Sequence, residues 1–126
     1  MAYVDGYVIP VPEDKREDYC RLAALSAPIF IEHGALHVVE NWGDDLPHGK
    51  TTDFFMAVKA EQGETIVFSW ITWPDKETRD KGNKAAMADP RFQPGSGPGT
   101  PGDIPMPFDG KRMIFGGFTT IVDAKG

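Results

Sequence analysis

The chain has 126 residues, of which 40% are hydrophobic and 25% are charged, and its formal net charge is −6 at pH 7. A chain of this length forms one domain around one hydrophobic core, so residues 1–126 are expected to fold as a single unit. The acidic balance argues against a nucleic-acid-binding protein, because binding to phosphates requires a basic stripe that releases counterions.

Cysteine usage and hydropathy narrow the cellular setting. Cys20 is the only cysteine, which excludes an internal disulfide. The sequence has no signal-like basic segment followed by an apolar run, and no apolar stretch reaches the roughly 18 residues that a spanning helix requires. We therefore expect a cytoplasmic protein without a membrane partner.

The first half of the chain predicts a strand, a helix and a second strand. Residues 3–11 are rich in β-forming side chains. Their even positions are small and apolar and are expected to lie under a helix, whereas the odd positions, with Asp5 and Tyr7, are expected to line a wet or ligand-binding surface. Residues 13–33 carry apolar side chains at helical spacing, and residues 35–42 form the second strand.

The second half predicts two more strands, a helix and a last strand. Residues 52–60 and 65–73 have strand composition and are separated by a short polar turn, which predicts a hairpin. Residues 75–88 predict a helix with a thin apolar side. Residues 93–105 contain four prolines and four glycines, which predicts a mobile loop without regular structure. The last strand runs on to Val122.

The order β-α-β-β-β-α-β predicts an α+β fold with both helices on one face of a sheet. Three of the predicted strands are nevertheless apolar on both faces, at residues 54–58, 66–71 and 113–118, which indicates burial on both sides. Two helices cannot cover both faces. A second sheet from an identical chain, related by a two-fold axis, is the simplest cover, so the sequence predicts a homodimer. The alternative is that the Pro/Gly-rich loop folds over the second face.

Several long segments are similar to those of a known family. The chain resembles the YbaA-like family of bacterial proteins of unknown function over nearly its whole length, in Tyr3-Val-Asp-Gly-Tyr-Val8, Thr52-Asp-Phe54, Met56-Ala-Val-Lys-Ala60, Val67-Phe-Ser-Trp-Ile71, Met106-Pro-Phe-Asp-Gly-Lys-Arg-Met-Ile114 and Gly116-Gly-Phe118. It departs from the family at about residues 93–103, where its loop looks longer. The resemblance implies a ferredoxin-like sheet that pairs into a dimeric α+β barrel, and it implies no catalytic residues.

Polar and aromatic residues on the predicted strands form the candidate ligand-binding set, because they cannot all reach solvent if both faces are covered. The candidates are Asp5, Tyr7, Glu40, Trp42, Asp53, Trp70 and Arg112. Arg112 or Lys59 would supply the cation that a buried carboxylate requires. Two interpretations remain open: a structural ion-pair network that ties a dimer together, or an aromatic-lined cavity with a few convergent charges, which suits a small organic ligand.

Motifs for metals, phosphates and nucleophiles are missing. His33 and His37 are separated by Gly34 and do not share a helical face, and no cysteine pairs with a histidine at zinc spacing. The segment Gly49-Lys-Thr51 lacks the first glycine of a phosphate loop, and there is no Gly-x-Ser-x-Gly elbow. We expect no metal and no cofactor, and the sequence assigns no catalytic residue.

Three functions remain open. The first is a homodimer that binds a small organic molecule in a cavity at the sheet or at the dimer interface. The second is a cofactor-independent enzyme, by analogy with monooxygenases that share the barrel, although fold analogy is a weak warrant. The third is a protein-interaction module without a ligand. Ligand bound to the purified protein would separate the first from the third.

Overall fold

A four-stranded sheet and two long helices make up the fold of the computed structural model, which describes residues 2–126. The elements are β1 (Tyr3–Pro12), α1 (Arg16–Glu32), β2 (His37–Trp42), α2 (Phe54–Ala57), β3 (Glu64–Trp73), α3 (Lys76–Met87) and β4 (Ile114–Thr119). None of the helices in this part of the chain is long and apolar enough to cross a membrane.

The strands lie in the order β2-β3-β1-β4, and each neighbouring pair is antiparallel. This arrangement confirms the predicted α+β class. With the one-turn helix α2 set aside, the element order is β-α-β-β-α-β, which is compatible with a ferredoxin-like sheet made of two βαβ halves.

Both long helices pack on the odd-numbered face of β1. Tyr19 of α1 packs against Ile9, and Arg79 of α3 bonds to Asp5. The prediction that the even positions of β1 lie under a helix is therefore wrong, because alternate residues of a strand point to opposite faces. The prediction used hydrophobicity alone. It failed because Asp5 is buried as an ion pair with Arg79, which α3 supplies.

The predicted third strand at residues 52–60 is wrong, and so is its hairpin. Phe54–Ala57 form the single turn α2 instead. The Asp53 side chain accepts hydrogen bonds from the backbone N–H groups of Met56 at 2.7 Å and Gly49 at 3.0 Å. A carboxylate that bonds the N–H three residues ahead favours a helix start over an extended strand, so the sheet has four strands rather than five.

The Pro/Gly-rich segment at residues 93–105 is not irregular throughout. It contains a 3₁₀ turn at Pro101–Asp103, and Pro101 is buried. The hydroxyls of Ser96 and Thr100 lie 2.6 Å apart. The last strand also ends at Thr119, before the predicted Val122, which is 80% exposed.

One face of the sheet is largely uncovered. We call it the open face; it lies opposite α1 and α3 and comprises Val4, Gly6, Val8, Val39, Phe68, Trp70, Ile114, Gly116 and Phe118. The one-turn helix α2 packs on it, where the rings of Phe54 and Phe68 lie 6.1 Å apart. Phe68 and Ile114 are each 46% exposed and Phe118 is 61% exposed, so a row of large apolar side chains meets water.

Candidate functional site

A cavity of about 500 Å³ lies between the sheet and the two long helices. Its wall is mainly apolar and comes from five helices and strands and from Met113 just before β4, through Tyr7, Ile9, Phe30, Ile71, Met87, Met113 and Phe115. Its polar side chains are Asp5, Tyr19, Glu40, Ser69, Arg79 and Asn83. The strand register brings the central ones together, because Tyr7 and Glu40 both lie opposite Ser69 on β3 and therefore share its face.

Asp5 sits at the inner end of the cavity and is 3% exposed. Its carboxylate accepts hydrogen bonds from Arg79 Nη2 at 2.7 Å and Nε at 3.0 Å, from Trp73 Nε1 at 3.0 Å and from Asn83 Nδ2 at 3.1 Å. A buried carboxylate is tolerated only when it is paired and fully bonded. The group is therefore a satisfied ion pair that fixes α3 on the sheet.

Glu40 stands at the other side of the cavity and remains accessible to solvent. The Tyr19 hydroxyl donates to Glu40 Oε1 at 2.6 Å. Desolvation by the surrounding side chains raises the pKa of Glu40, against the opposing effect of the Tyr19 and Ser69 hydroxyls. The ionised form of Glu40 is therefore destabilised at this position, a property that is common among functional carboxyl groups.

The two tyrosines of the cavity hold their protons firmly. Burial, reinforced by the nearby Asp5 charge, raises the pKa of Tyr7 to about 12. Burial and the Glu40 carboxylate raise the pKa of Tyr19 further. At neutral pH both phenols are neutral, so each can donate a hydrogen bond as well as accept one.

A second cavity, of about 310 Å³, lies on the outer side of the Tyr19–Glu40 pair. It runs between α1 and β2, where three alanines of α1 leave room, and it is lined by Tyr19, Cys20, Ala23, Ala24, Ala27, Val38, Glu40, Asn41, Trp42 and Val67. Tyr19 and Glu40 line both cavities. The hydrogen bond between them therefore forms part of the wall between an outer groove and the inner cavity.

Four of the seven candidate residues border this region. Asp5, Tyr7 and Glu40 line the inner cavity, and Trp42 lines the outer groove. The Arg16 guanidinium lies 5.3 Å from the centroid of the Trp42 ring.

The other three candidates lie elsewhere. Asp53 caps α2, and the backbone N–H of Met56 lowers its pKa. Trp70 lies on the open face with its ring 5.6 Å from that of Phe68. Arg112 bonds to Glu64 at 2.6 and 2.8 Å. Contrary to the prediction, no ion pair among residues 2–126 joins Arg112 or Lys59 to Asp5, Glu40 or Asp53; Arg79 is the partner of Asp5.

The sequence-based candidates do not include four polar side chains of the cavity, Tyr19, Ser69, Arg79 and Asn83. Tyr19, Arg79 and Asn83 lie on helices, whereas the candidates were drawn from strands. One signal was present for α3, since Arg79 and Asn83 are four residues apart and therefore share a helical face. Nothing in the sequence indicates that this face meets Asp5.

Metal-binding geometry is not evident among residues 2–126, where no group of three or more His, Cys, Asp or Glu side chains is placed to hold an ion. His33 instead bonds to Asp89 at 3.0 Å, which joins the end of α1 to the segment after α3.

Comparison with known proteins identifies close relatives. A family model described as "Protein of unknown function (DUF1428)" matches residues 2–110. The chain is 54% identical over 123 residues to "Uncharacterized protein YbaA" of Escherichia coli strain K12, a match that covers 98% of this chain and 99% of the relative. The proteins of the same name from Escherichia coli O157:H7 and Shigella flexneri match equally well. The resemblance inferred from sequence segments is confirmed, and the chain belongs to the DUF1428 family, which includes the YbaA proteins.

Proposed function

We propose that the protein is a cytoplasmic homodimer that binds a small organic molecule in the cavity between the sheet and the helices α1 and α3. The observation that carries the proposal is the cavity itself, which joins an apolar wall to a few convergent polar groups. Small-molecule sites are typically concave, mostly apolar and about 300–1,000 Å³ in volume, with a few polar groups that orient the ligand.

The chemistry of the wall supports this proposal. Tyr7 and Phe115 are stacked with their ring centroids 6.2 Å apart, and Phe30 and Met87 complete the apolar side. Apolar groups of a ligand placed against this wall would be removed from water and would gain dispersion contacts.

The open face supports the homodimer. Exposed contiguous apolar patches are rare on monomers and mark interaction sites. The open face combines large side chains of the central strands with Ile114 and Phe118 of the edge strand β4. Two copies related by a two-fold axis would bury the same patch on both chains. The free thiol of Cys20, which is exposed, fits a reducing compartment such as the cytoplasm.

Saturation-transfer NMR with three small probes tests the binding proposal. The probes are 2-phenylethylammonium, 2-phenylethanol and phenylacetate, which share a phenyl ring and differ in the charge of the head group. The variant Met87→Trp narrows the cavity from an exposed position, and Met106→Trp is the matched control, because Met106 is similarly exposed but does not line the cavity.

We expect at least one probe to bind the wild type and Met106→Trp, and to lose most of its signal with Met87→Trp. If none of the probes binds the wild type, or if Met87→Trp binds them as well as Met106→Trp does, the binding proposal is wrong.

A second candidate function is a cofactor-independent enzyme of the monooxygenase-like class. The observation that favours it is Glu40, an accessible carboxyl group whose pKa is raised by desolvation and which accepts a hydrogen bond from a phenol. Such a group is suited to proton transfer. Oxygen uptake would be measured with a panel of phenols and quinols. Turnover by the wild type that Glu40→Gln abolishes would support this candidate, and equal turnover by both would exclude Glu40 as its acid or base.

A further inference from the structure

Negative charges outnumber positive charges among the side chains that line the inner cavity. Two carboxylates, Asp5 and Glu40, face it, and Arg79 is the cation among its lining residues. Uncompensated negative charge in a confined, partly desolvated space favours a positively charged occupant and disfavours an anion. The balance of these three groups therefore bears directly on the class of ligand.

The Asp5–Arg79 pair has little capacity left for a ligand. Asp5 receives hydrogen bonds from three side chains. Arg79 divides its donors between Asp5 and Asp80, with Nη1 bonded to Asp80 Oδ1 at 2.9 Å. Its guanidinium also lies over the ring of Tyr3, at 5.1 Å. An anionic ligand would have to compete with two carboxylates for this arginine.

Glu40 differs from Asp5 because only some of its carboxylate acceptor positions are hydrogen-bonded. Its donors are the hydroxyls of Tyr19 and Ser69, and an ionised carboxylate offers about four acceptor positions. The remaining positions are open to a donor supplied by a ligand. Rings of Tyr7 and Tyr19 stand beside it in the same cavity, and aromatic faces also attract cations.

We infer that the ligand is a small organic cation, an amine attached to an aromatic or branched apolar body, with its ammonium group bonded to Glu40 and its body against the apolar wall. This inference rests on the proposed function and names its ligand class. An ammonium on a carboxylate makes a charge-assisted hydrogen bond, the strongest kind available at this site. It would also offset the desolvation that makes the Glu40 charge costly.

The test compares the affinities of the three probes for the wild type by NMR titration. We expect 2-phenylethylammonium to bind roughly tenfold or more tightly than 2-phenylethanol, since a charge-assisted hydrogen bond is roughly twice as strong as a neutral one. We expect phenylacetate to bind most weakly.

The variant Glu40→Gln removes the negative charge and leaves the shape of the cavity nearly unchanged, so it distinguishes the effect of the charge from that of the apolar wall. It keeps an acceptor for the Tyr19 hydroxyl, so we expect the fold and the affinity for 2-phenylethanol to be retained while the preference for the amine disappears. Glu77→Gln is the control, because Glu77 is a surface residue with a side chain that is 78% exposed. It should leave all three affinities unchanged.

A titration of the wild type provides a test that depends on no variant. As pH falls from neutral, we expect affinity for the amine to fall as Glu40 takes up a proton, because desolvation raises the pKa of its carboxyl group, and affinity for 2-phenylethanol to stay constant. The ionisable groups that face Glu40 are Tyr19 and Cys20 from α1, Tyr7 and Asp5 from β1, and Arg79 from α3. Both tyrosines keep their protons, because burial raises the pKa of each phenol, and the arginine stays charged.

The outcomes distinguish this inference from the binding proposal. If phenylacetate or 2-phenylethanol binds as tightly as the amine and Met87→Trp abolishes that binding, the cavity is a site but its ligand is not a cation. If Glu40→Gln keeps the preference for the amine, the inference is also overturned. If no probe binds, both proposals fail.

Discussion

Asp5 and Glu40 illustrate two different uses of a carboxylate on the same face of one sheet. Asp5 is enclosed by donors, and its ion pair with Arg79 joins β1 to α3. Glu40 has fewer donors, is accessible and bears a raised pKa. The first arrangement stabilises structure, whereas the second leaves a group available for a ligand or a proton.

The first residue-scale prediction concerns Asp5→Asn. The change removes the buried carboxylate partner of Arg79, which then keeps only the half-exposed Asp80, and we expect the free energy of unfolding to fall by about 3 kcal/mol in urea titrations. The double variant Asp5→Asn with Arg79→Met should recover part of this loss, because the partly buried guanidinium charge is removed as well. Glu77→Gln, which breaks an exposed pair with Lys81, should have no measurable effect. A loss for Asp5→Asn no larger than that of Glu77→Gln would show that the network is not structural.

The second concerns the pH dependence of stability at Glu40. A carboxyl group whose folded-state pKa is raised binds more protons in the folded than in the unfolded state. Its ionisation therefore destabilises the fold as pH rises from the unfolded-state pKa through the folded-state pKa. Relative to the wild type, Glu40→Gln should therefore be at least as stable at pH 7, and the advantage should shrink as pH falls towards 4.5. Melting temperatures from pH 4.5 to 7 would check this. A variant that is less stable than the wild type at pH 7 contradicts the account.

At the scale of elements, α3 approaches the sheet closely at Gly82. A Cβ atom there would lie 2.3 Å from the Trp73 ring and 2.5 Å from the His33 carbonyl oxygen. Trp73 is fully buried and donates to Asp5, so it has little freedom to move. The close approach is what brings Arg79 and Asn83 within reach of Asp5.

We therefore predict that Gly82→Ala lowers the free energy of unfolding by about 1–3 kcal/mol, although alanine favours helices intrinsically. Chemical denaturation would measure it. Gly110→Ala is the control, because no atom lies within 4 Å of the Cβ position there. A stabilised Gly82→Ala protein would mean that the helix sits farther from the sheet.

The same scale shows what the sequence could predict. The helices and three of the five predicted strands appear near their expected places, and the last strand is only shorter. The strand prediction for residues 52–60 is wrong because the apolar composition of Phe54 and Phe55 suits a strand as well as a helical turn that packs on the sheet, and the Asp53 side chain caps such a turn. Of the candidate residues, Asp5, Tyr7 and Glu40 line the inner cavity. Their helical partners were not predicted, because tertiary packing selects which helical face meets them.

At the scale of the whole molecule, the two faces of the sheet are unequal. One face is covered by α1 and α3 and encloses the cavity. The open face exposes Phe68, Ile114 and Phe118. This asymmetry is the physical basis of the proposed homodimer, in which a second sheet covers the open face.

We predict that Phe118→Glu converts a dimer of about 28 kDa, twice the 13.9 kDa of one chain, into a monomer. A buried, unpaired carboxylate at the interface would be strongly unfavourable. Phe115→Glu is the matched control on the same strand, since its side chain lies on the opposite face of the sheet, and it should remain dimeric. Sedimentation velocity measures both. A wild-type monomer, or a dimer that Phe118→Glu does not weaken, contradicts the prediction.

The central claim is that a small molecule binds inside this cavity, and methyl NMR tests it most directly. In protein labelled at isoleucine methyl groups, Ile9 and Ile71 report on the cavity wall and Ile114 reports on the open face. With whichever of the three phenyl probes binds most tightly, we predict saturable shifts of Ile9 and Ile71 and none of Ile114. Shifts confined to Ile114, or no saturable shift of either cavity methyl, would contradict the claim.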